Sequence, residues 1–264
     1  MVAVQALLVL LSWKGLLGQY PGYEINVPRQ VKVQEGLCVI IPCNFSYLKT
    51  HKLSNYPSGY WFKGNVDPRS GVPVASYIGR KKTMKETMDR FKIVGDVRRD
   101  ECSLSIQDAR KHDTGKYYFR IDSGDLQFNY KDTQPFLDVQ DLSEQPEFLL
   151  PAVLTAGTPV NVTCTAPGRC AGTDPVITWE GNIQPLNSVL ENVLENANGD
   201  IIHSSRLTFT PSSVDQEKSL TCVVRYPAVN ASTQKMNLLN IESSDQVTYL
   251  LSNCTALSPV PEVH

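Results

Sequence analysis

The sequence predicts an all-β protein made of two sandwich domains in series, and three observations carry that prediction. Its 264 residues, 41% of them hydrophobic, suffice for two sandwiches of about 100 residues, each with its own core. Short segments of alternating apolar and polar residues recur from Tyr23 onward, separated by Gly, Pro or Asp. The order Cys, Trp, Cys occurs twice, as Cys43, Trp61, Cys102 and as Cys164, Trp179, Cys222.

Residues 1–18 read as a signal peptide, with the apolar run VAVQALLVLL and Gly18 as a small residue at the cleavage point. The signal is atypical, since its first residues carry no basic side chain and Lys14 falls late. From residue 23 to 140, nine strand-like segments follow: INVPRQVKVQEG, LCVIIPCNFSY, YWFKG, VASYIG, RFKIVGD, CSLSIQD, KYYFRI, LQFNY and FLDVQ. Nine strands suit an immunoglobulin-like sandwich of variable (V) type, in which Trp61, 18 residues after Cys43, is the strand C tryptophan buried in the core.

Strand F of such a sandwich opens with an Asp-x-Gly-x-Tyr corner, here Asp113 to Tyr117, and a cysteine normally follows two residues after the tyrosine. That position is Phe119. With a side-chain period of two, Tyr117, Phe119 and Ile121 should face the core, and Tyr118, Arg120 and Asp122 should face water. Arg120 is thereby expected on the open face of a sheet, where its planar fork offers two parallel donors to a carboxylate. Pairing with Asp122, two positions along the same face, is the other reading of that side chain.

The linker QDLSEQP leads to a second domain over residues 145–241, with fewer strand-like segments (VNVTC, VITWEG, RLTFT and SLTCVV among them). A constant-type sandwich of the C2 set is expected there, followed by a disordered tail over 242–264. That tail has no apolar run near the roughly 20 residues that span a bilayer, so no membrane-spanning segment is expected in the chain as it stands.

Seven cysteines, four Asn-x-Ser/Thr sequons (Asn44, Asn161, Asn230, Asn253) and the leading apolar segment point to an oxidising secretory route and a secreted or extracellular product. Cys164 and Cys222 form the ordinary bridge between the sheets of the second domain. Because strand F offers Phe119, Cys43 on strand B is expected to pair with Cys102 on strand E, within one sheet, leaving Phe119 to pack the vacated slot. Cys38, Cys170 and Cys254 remain, and sequence alone leaves their pairing open; an unpaired Cys254 would serve an intermolecular disulfide or stay a tail thiol.

The net charge of −2 conceals an asymmetry. Residues 23–140 hold 19 Lys and Arg against 14 Asp and Glu (+5), and residues 141–264 hold 5 against 13 (−8), which places any anionic ligand on the first domain. No HExxH, GxSxG, GxxxxGK[ST], GxGxxG or CxxC pattern occurs, and the histidines (51, 112, 203, 264) are scattered, so no enzyme, cofactor or metal is expected. The basic run RKKTMK, Arg80 to Lys85, lacks the interleaved aromatics of a nucleic-acid groove and reads as solvated loop.

The stretch DTGKYYFRIDSGDLQFNYK (113–131), the relocated Cys102 and the Cys38/Cys170 pair together resemble the Siglecs, the sialic-acid-binding immunoglobulin-like lectins, in their V-set plus C2-set portion. The resemblance covers roughly residues 23–241. It implies that Arg120 salt-bridges the carboxylate of terminal sialic acid on glycoprotein or glycolipid glycans. It implies that Asn129 and Lys131 hydrogen-bond the N-acetyl and glycerol groups, and that Tyr23 packs near the N-acetyl methyl. Phe128 stands where the family usually carries a tryptophan that stacks on the glycerol chain. Residues 63–77 correspond to the loop that reads sugars beyond sialic acid. The same resemblance implies an interdomain Cys38–Cys170 disulfide and, since family members are usually membrane receptors, a relation to a truncated receptor form. The alternative expectation is an immunoglobulin-type protein-binding or decoy module whose sugar binding has weakened.

Overall fold

A computed structural model describes residues 20–79, 81–183, 189–197 and 200–243, which fall into two compact units divided between Asp141 and Leu142. The expected signal peptide, Asn253, Cys254 and nearly all of the expected tail lie outside the described residues.

The first unit contains eleven strands: β1 (Glu24–Asn26), β2 (Gln30–Gln34), β3 (Val39–Ile41), β4 (Asn44–Ser46), β5 (Ser58–Lys63), β6 (Ala75–Tyr77), β7 (Phe91–Ile93), β8 (Leu104–Ile106), β9 (Gly115–Ser123), β10 (Leu126–Tyr130) and β11 (Phe136–Gln140). Each of the nine expected segments contributes, and the first two are each split. Pro28 and Pro42 lie at the breaks, where a residue without a backbone N–H cannot continue a ladder. The break at Pro28 lets the chain change partners: β1 pairs antiparallel with β4, whereas β2 runs parallel to β11. One sheet has the order β2-β11-β9-β5-β6 with β10 also on β9, and the other has the order β3-β8-β7.

Trp61, Phe119, Ile41, Leu104 and Ile106 are fully buried between the sheets. Cys43 and Cys102 are bridged with Cα atoms 4.8 Å apart, and the Cys102 N–H donates to the Cys43 carbonyl at 2.8 Å, so the disulfide links ladder neighbours of one sheet. The ring of Phe119 lies 5.2 Å from that of Phe45 and 5.8 Å from that of Trp61, filling the space between the layers. The Trp61 indole N–H donates to the Cys102 carbonyl at 2.8 Å. At the strand F corner the Tyr117 hydroxyl donates to the Asp113 carbonyl, and the Asp113 carboxylate takes a bidentate pair from Arg90 at 2.9 and 3.1 Å.

The second unit contains β12 (Glu147–Leu149), β13 (Leu154–Thr155), β14 (Val160–Thr165), β15 (Val176–Gly181), β16 (Val189–Ala197), β17 (Asp200–Phe209), β18 (Ser219–Tyr226), β19 (Ala231–Leu238) and β20 (Ile241–Glu242). A four-stranded sheet β12-β14-β17-β16 faces a three-stranded sheet β15-β18-β19, the four-plus-three division of a constant-type sandwich. Cys164 on β14 and Cys222 on β18 join the two sheets. Trp179 on β15 meets Phe148 edge to face at 5.2 Å and donates to Ser205 Oγ at 3.1 Å. Cys38 and Cys170 are both engaged in disulfides.

Candidate functional site

The site is built on three adjacent strands, β5, β9 and β10. Ser123 and Leu126 close a two-residue turn, with Gly124 at φ 64° in its first position, and that turn sets the β9–β10 register. Arg120 is thereby opposed to Asn129 on one side and to Tyr60 of β5 on the other. Because side chains of paired residues share a face, the outward row consists of Tyr60 and Phe62, then Tyr118, Arg120 and Asp122, then Gln127, Asn129 and Lys131.

That face is less open than the period-two reading expects. Tyr118 is fully buried, contrary to its expected exposure, and forms an outer aromatic cluster with Tyr60 and Phe62. The physical cause is the connection between β5 and β6, which folds back over the sheet: the Tyr118 hydroxyl donates to the Val66 carbonyl at 2.6 Å. Its ring stacks on Phe62 at 5.2 Å, and the Lys131 ammonium sits 4.5 Å above its centroid. Burial pushes the Tyr118 phenol up to about 12, with the Arg120 charge pulling the other way. Lys81, from the basic run, also turns inward, donating to the Pro68 carbonyl and lying over the Phe62 ring.

Arg120 retains only 11% of its side-chain exposure. Its Nη1 donates to Asn129 Oδ1 at 3.0 Å, and its Nη2 donates to Asp122 Oδ2 at 3.1 Å and Gln127 Oε1 at 3.3 Å. The guanidinium is therefore held flat on the strand by residues of its own hairpin. The structure brings Arg120 and Asn129 into direct contact and places Lys131 over the neighbouring ring.

Tyr23 and Phe128 form a separate group. Phe128 is paired with Ile121, on the opposite side of β10 from Arg120 and Asn129. It stacks on Tyr23 at 4.2 Å, and Tyr20 and Tyr130 approach it edge to face at 5.6 and 4.9 Å. The rings of Tyr23, Phe128 and Tyr130 wall a cavity of about 250 Å³ between β1 and the end of β10, with Glu24 and Asp132 among its lining residues. Beside it, His51 Nδ1 meets Asp125 Oδ2 of the hairpin turn at 3.1 Å and holds that carboxyl below the ordinary carboxylate range.

Sequence reasoning omitted Gln127 and Tyr20. The turn dipeptide Gly124-Asp125 was the signal for the first, because it fixes which β10 residues oppose Asp122 and Arg120. Nothing local marks Tyr20, whose ring is placed by the course of the chain into β1. Of the glycan sites, Asn44, Asn161 and Asn230 are exposed. Among the described residues no group of three or more His, Cys, Asp or Glu could hold a metal ion, and no helix is long and apolar enough to cross a membrane.

The immunoglobulin V-set domain model matches residues 26–138, and the CD80-like C2-set immunoglobulin domain model matches residues 144–233. Fold and matches define a two-domain immunoglobulin protein, V-set followed by C2-set, a type whose disulfide-bonded domains fit an extracellular location. The chain belongs to the Siglec family. It is 38% identical to sialic acid-binding Ig-like lectin 12 of Mus musculus over 94% of this chain and 55% of that protein. It is 35% identical to lectin 13 of Pan troglodytes (91% and 60%) and 36% identical to lectin 5 of Homo sapiens (95% and 44%). The chain spans about half the length of the curated relatives it matches.

Proposed function

We propose that the first domain is a lectin for terminal sialic acid on cell-surface or secreted glycans, with Arg120 pairing the sugar carboxylate. The observation that carries this reading is the Arg120 guanidinium fixed against Asn129 on the outer face of the β9–β10 hairpin. Both residues are those the Siglec resemblance assigns to the sugar, and the relatives matched are named as sialic acid-binding lectins. The Lys131 ammonium lies over the Tyr118 ring, and the +5 balance of residues 23–140 favours an anion on this domain.

A charge-assisted pair contributes about 1.5 to 3 kcal/mol and an aromatic contact roughly 1 more, which corresponds to monovalent binding near the millimolar range. Clustering of copies or of glycans then supplies the avidity. The test is binding of the secreted protein to sialylated cells before and after sialidase, with Arg120→Ala alongside. Loss of binding in both arms is expected; binding insensitive to sialidase or to the alanine change would sink the reading.

The placement of Phe128 favours a second reading, an immunoglobulin-type protein-binding or decoy module with weakened sugar binding. Its ring is packed against Tyr23 and Tyr20 and lies across β10 from Arg120. Phe128→Trp separates the two: a large gain in sialoside affinity identifies a weakened lectin, and none favours the protein-binding module.

A further inference from the structure

We propose that Asp122 is a built-in electrostatic gate on the Arg120 site, occupying or opposing the seat that a ligand carboxylate must take. The inference rests on the lectin reading for the identity of the ligand, but the gate itself follows from the hairpin.

A guanidinium offers a carboxylate two parallel forks, Nε with Nη2 and Nη1 with Nη2, so both bidentate modes require a proton of Nη2. In this chain Nη2 already donates to two internal acceptors, Asp122 Oδ2 at 3.1 Å and Gln127 Oε1 at 3.3 Å. Nη1 is steadied from the other side by Asn129 Oδ1. A ligand entering one fork displaces the Asp122 carboxylate from its ion pair. A ligand entering the other displaces the neutral and longer Gln127 contact and then sits beside the Asp122 charge.

Either route lowers affinity, because like charges oppose each other at such short range and the side chain of Arg120 is only 11% exposed. The remaining charges of the face do not relieve this. Lys131 is drawn over the Tyr118 ring, and the next carboxylate along the hairpin, Asp125, is paired with His51. Asp122 is itself 35% exposed and sits two residues from the turn, so it can swing into solvent when displaced. The hairpin thus carries both the cation that binds and the anion that sets how strong a ligand must be.

Asp122→Asn tests the gate, since it keeps an amide oxygen for Arg120 and removes only the charge. Two probes are titrated into wild type, Asp122→Asn and Arg120→Ala: the α-methyl glycoside of N-acetylneuraminic acid, and acetate as a bare carboxylate. Binding is followed by NMR, together with the side-chain Nη resonances of Arg120 in the free protein. Asp122→Asn should tighten sialoside binding about twofold to fivefold, the range for releasing a partly exposed ion pair, and Arg120→Ala should abolish it. The free wild type should show restricted rotation of the Arg120 guanidinium that Asp122→Asn relaxes. Unchanged or weaker binding of both probes to Asp122→Asn, or a freely rotating Arg120 in wild type, overturns the gate. A gain for acetate without any sialoside binding leaves the gate standing and overturns the lectin reading instead.

Discussion

The two sandwiches of this chain bridge the strand B cysteine in different ways. In the second, Cys164 reaches across to Cys222 in the opposite sheet, with Cα atoms 6.3 Å apart, and the tryptophan beside it is only partly buried. In the first, Cys43 closes onto its neighbour Cys102 within one sheet, and the layers are joined without any covalent link at that point. Phe119, wedged between Phe45 and Trp61, and the Trp61 hydrogen bond to the Cys102 carbonyl take over the junction. Moving one cysteine thus changes how strand F is held, from a covalent anchor to a packed ring. Arg120 is the very next residue, so the rigidity of the candidate site depends on that ring.

Phe119→Ala removes the packed ring and leaves both disulfides in place. Truncating a fully buried phenylalanine costs about 3 to 5 kcal/mol, and the loss should be confined to the first domain. Hydrogen exchange read domain by domain should show β5, β9 and β10 losing protection while β14 and β18 keep theirs. Equal loss in both domains, or none, would refute the wedge role of Phe119.

Removing each bridge asks whether crossing the sheets matters to stability. The disulfides close loops of nearly the same length, with separations of 59 and 58 residues, so the chain-entropy argument assigns each about 4 kcal/mol. Cys43→Ala/Cys102→Ala and Cys164→Ala/Cys222→Ala should therefore destabilise their own domains to similar extents in urea unfolding. A gap much wider than 1 kcal/mol would mean that native-state packing, and not loop closure, sets the value of each bridge.

The parts legible in sequence are those dictated by local spacing. The strand F corner, Trp61 and the cysteine displaced to 102 follow from alternation and motif order, and they place Arg120 on the outer face. Tyr118 misled the same rule, because its burial comes from residues 64–73, distant in sequence, folding over the sheet to bring the Val66 carbonyl to its hydroxyl. The side of β10 on which Phe128 lies was legible in principle from the turn at Gly124, which fixes the register, yet its stack with Tyr23 depends on where β1 runs. The occupation of Nη2 by Asp122 and Gln127 likewise needs the hairpin closed before it can be seen.

A smaller effect separates the buried carboxylates of the two domains. Asp113 is clamped by both arms of Arg90, whereas Asp215 takes one contact from Lys218 at 2.8 Å and two from Ser212, at 2.9 Å each. Burial alone would raise the Asp215 carboxyl, but the Lys218 and Ser212 donors together outweigh it and hold the group below its ordinary range. A depressed folded value means stability that is complete above the unfolded carboxylate range, near pH 4, and is lost as pH falls through the folded value. Lys218→Met should cost the second domain about 1 kcal/mol at neutral pH. That difference should shrink below pH 4, because a protonated Asp215 no longer attracts the ammonium. Urea midpoints of wild type and variant measured from pH 7 to pH 3 check this, and a difference that stays constant across the range would show that Lys218 acts through packing of its aliphatic stem and not through the charge on Asp215.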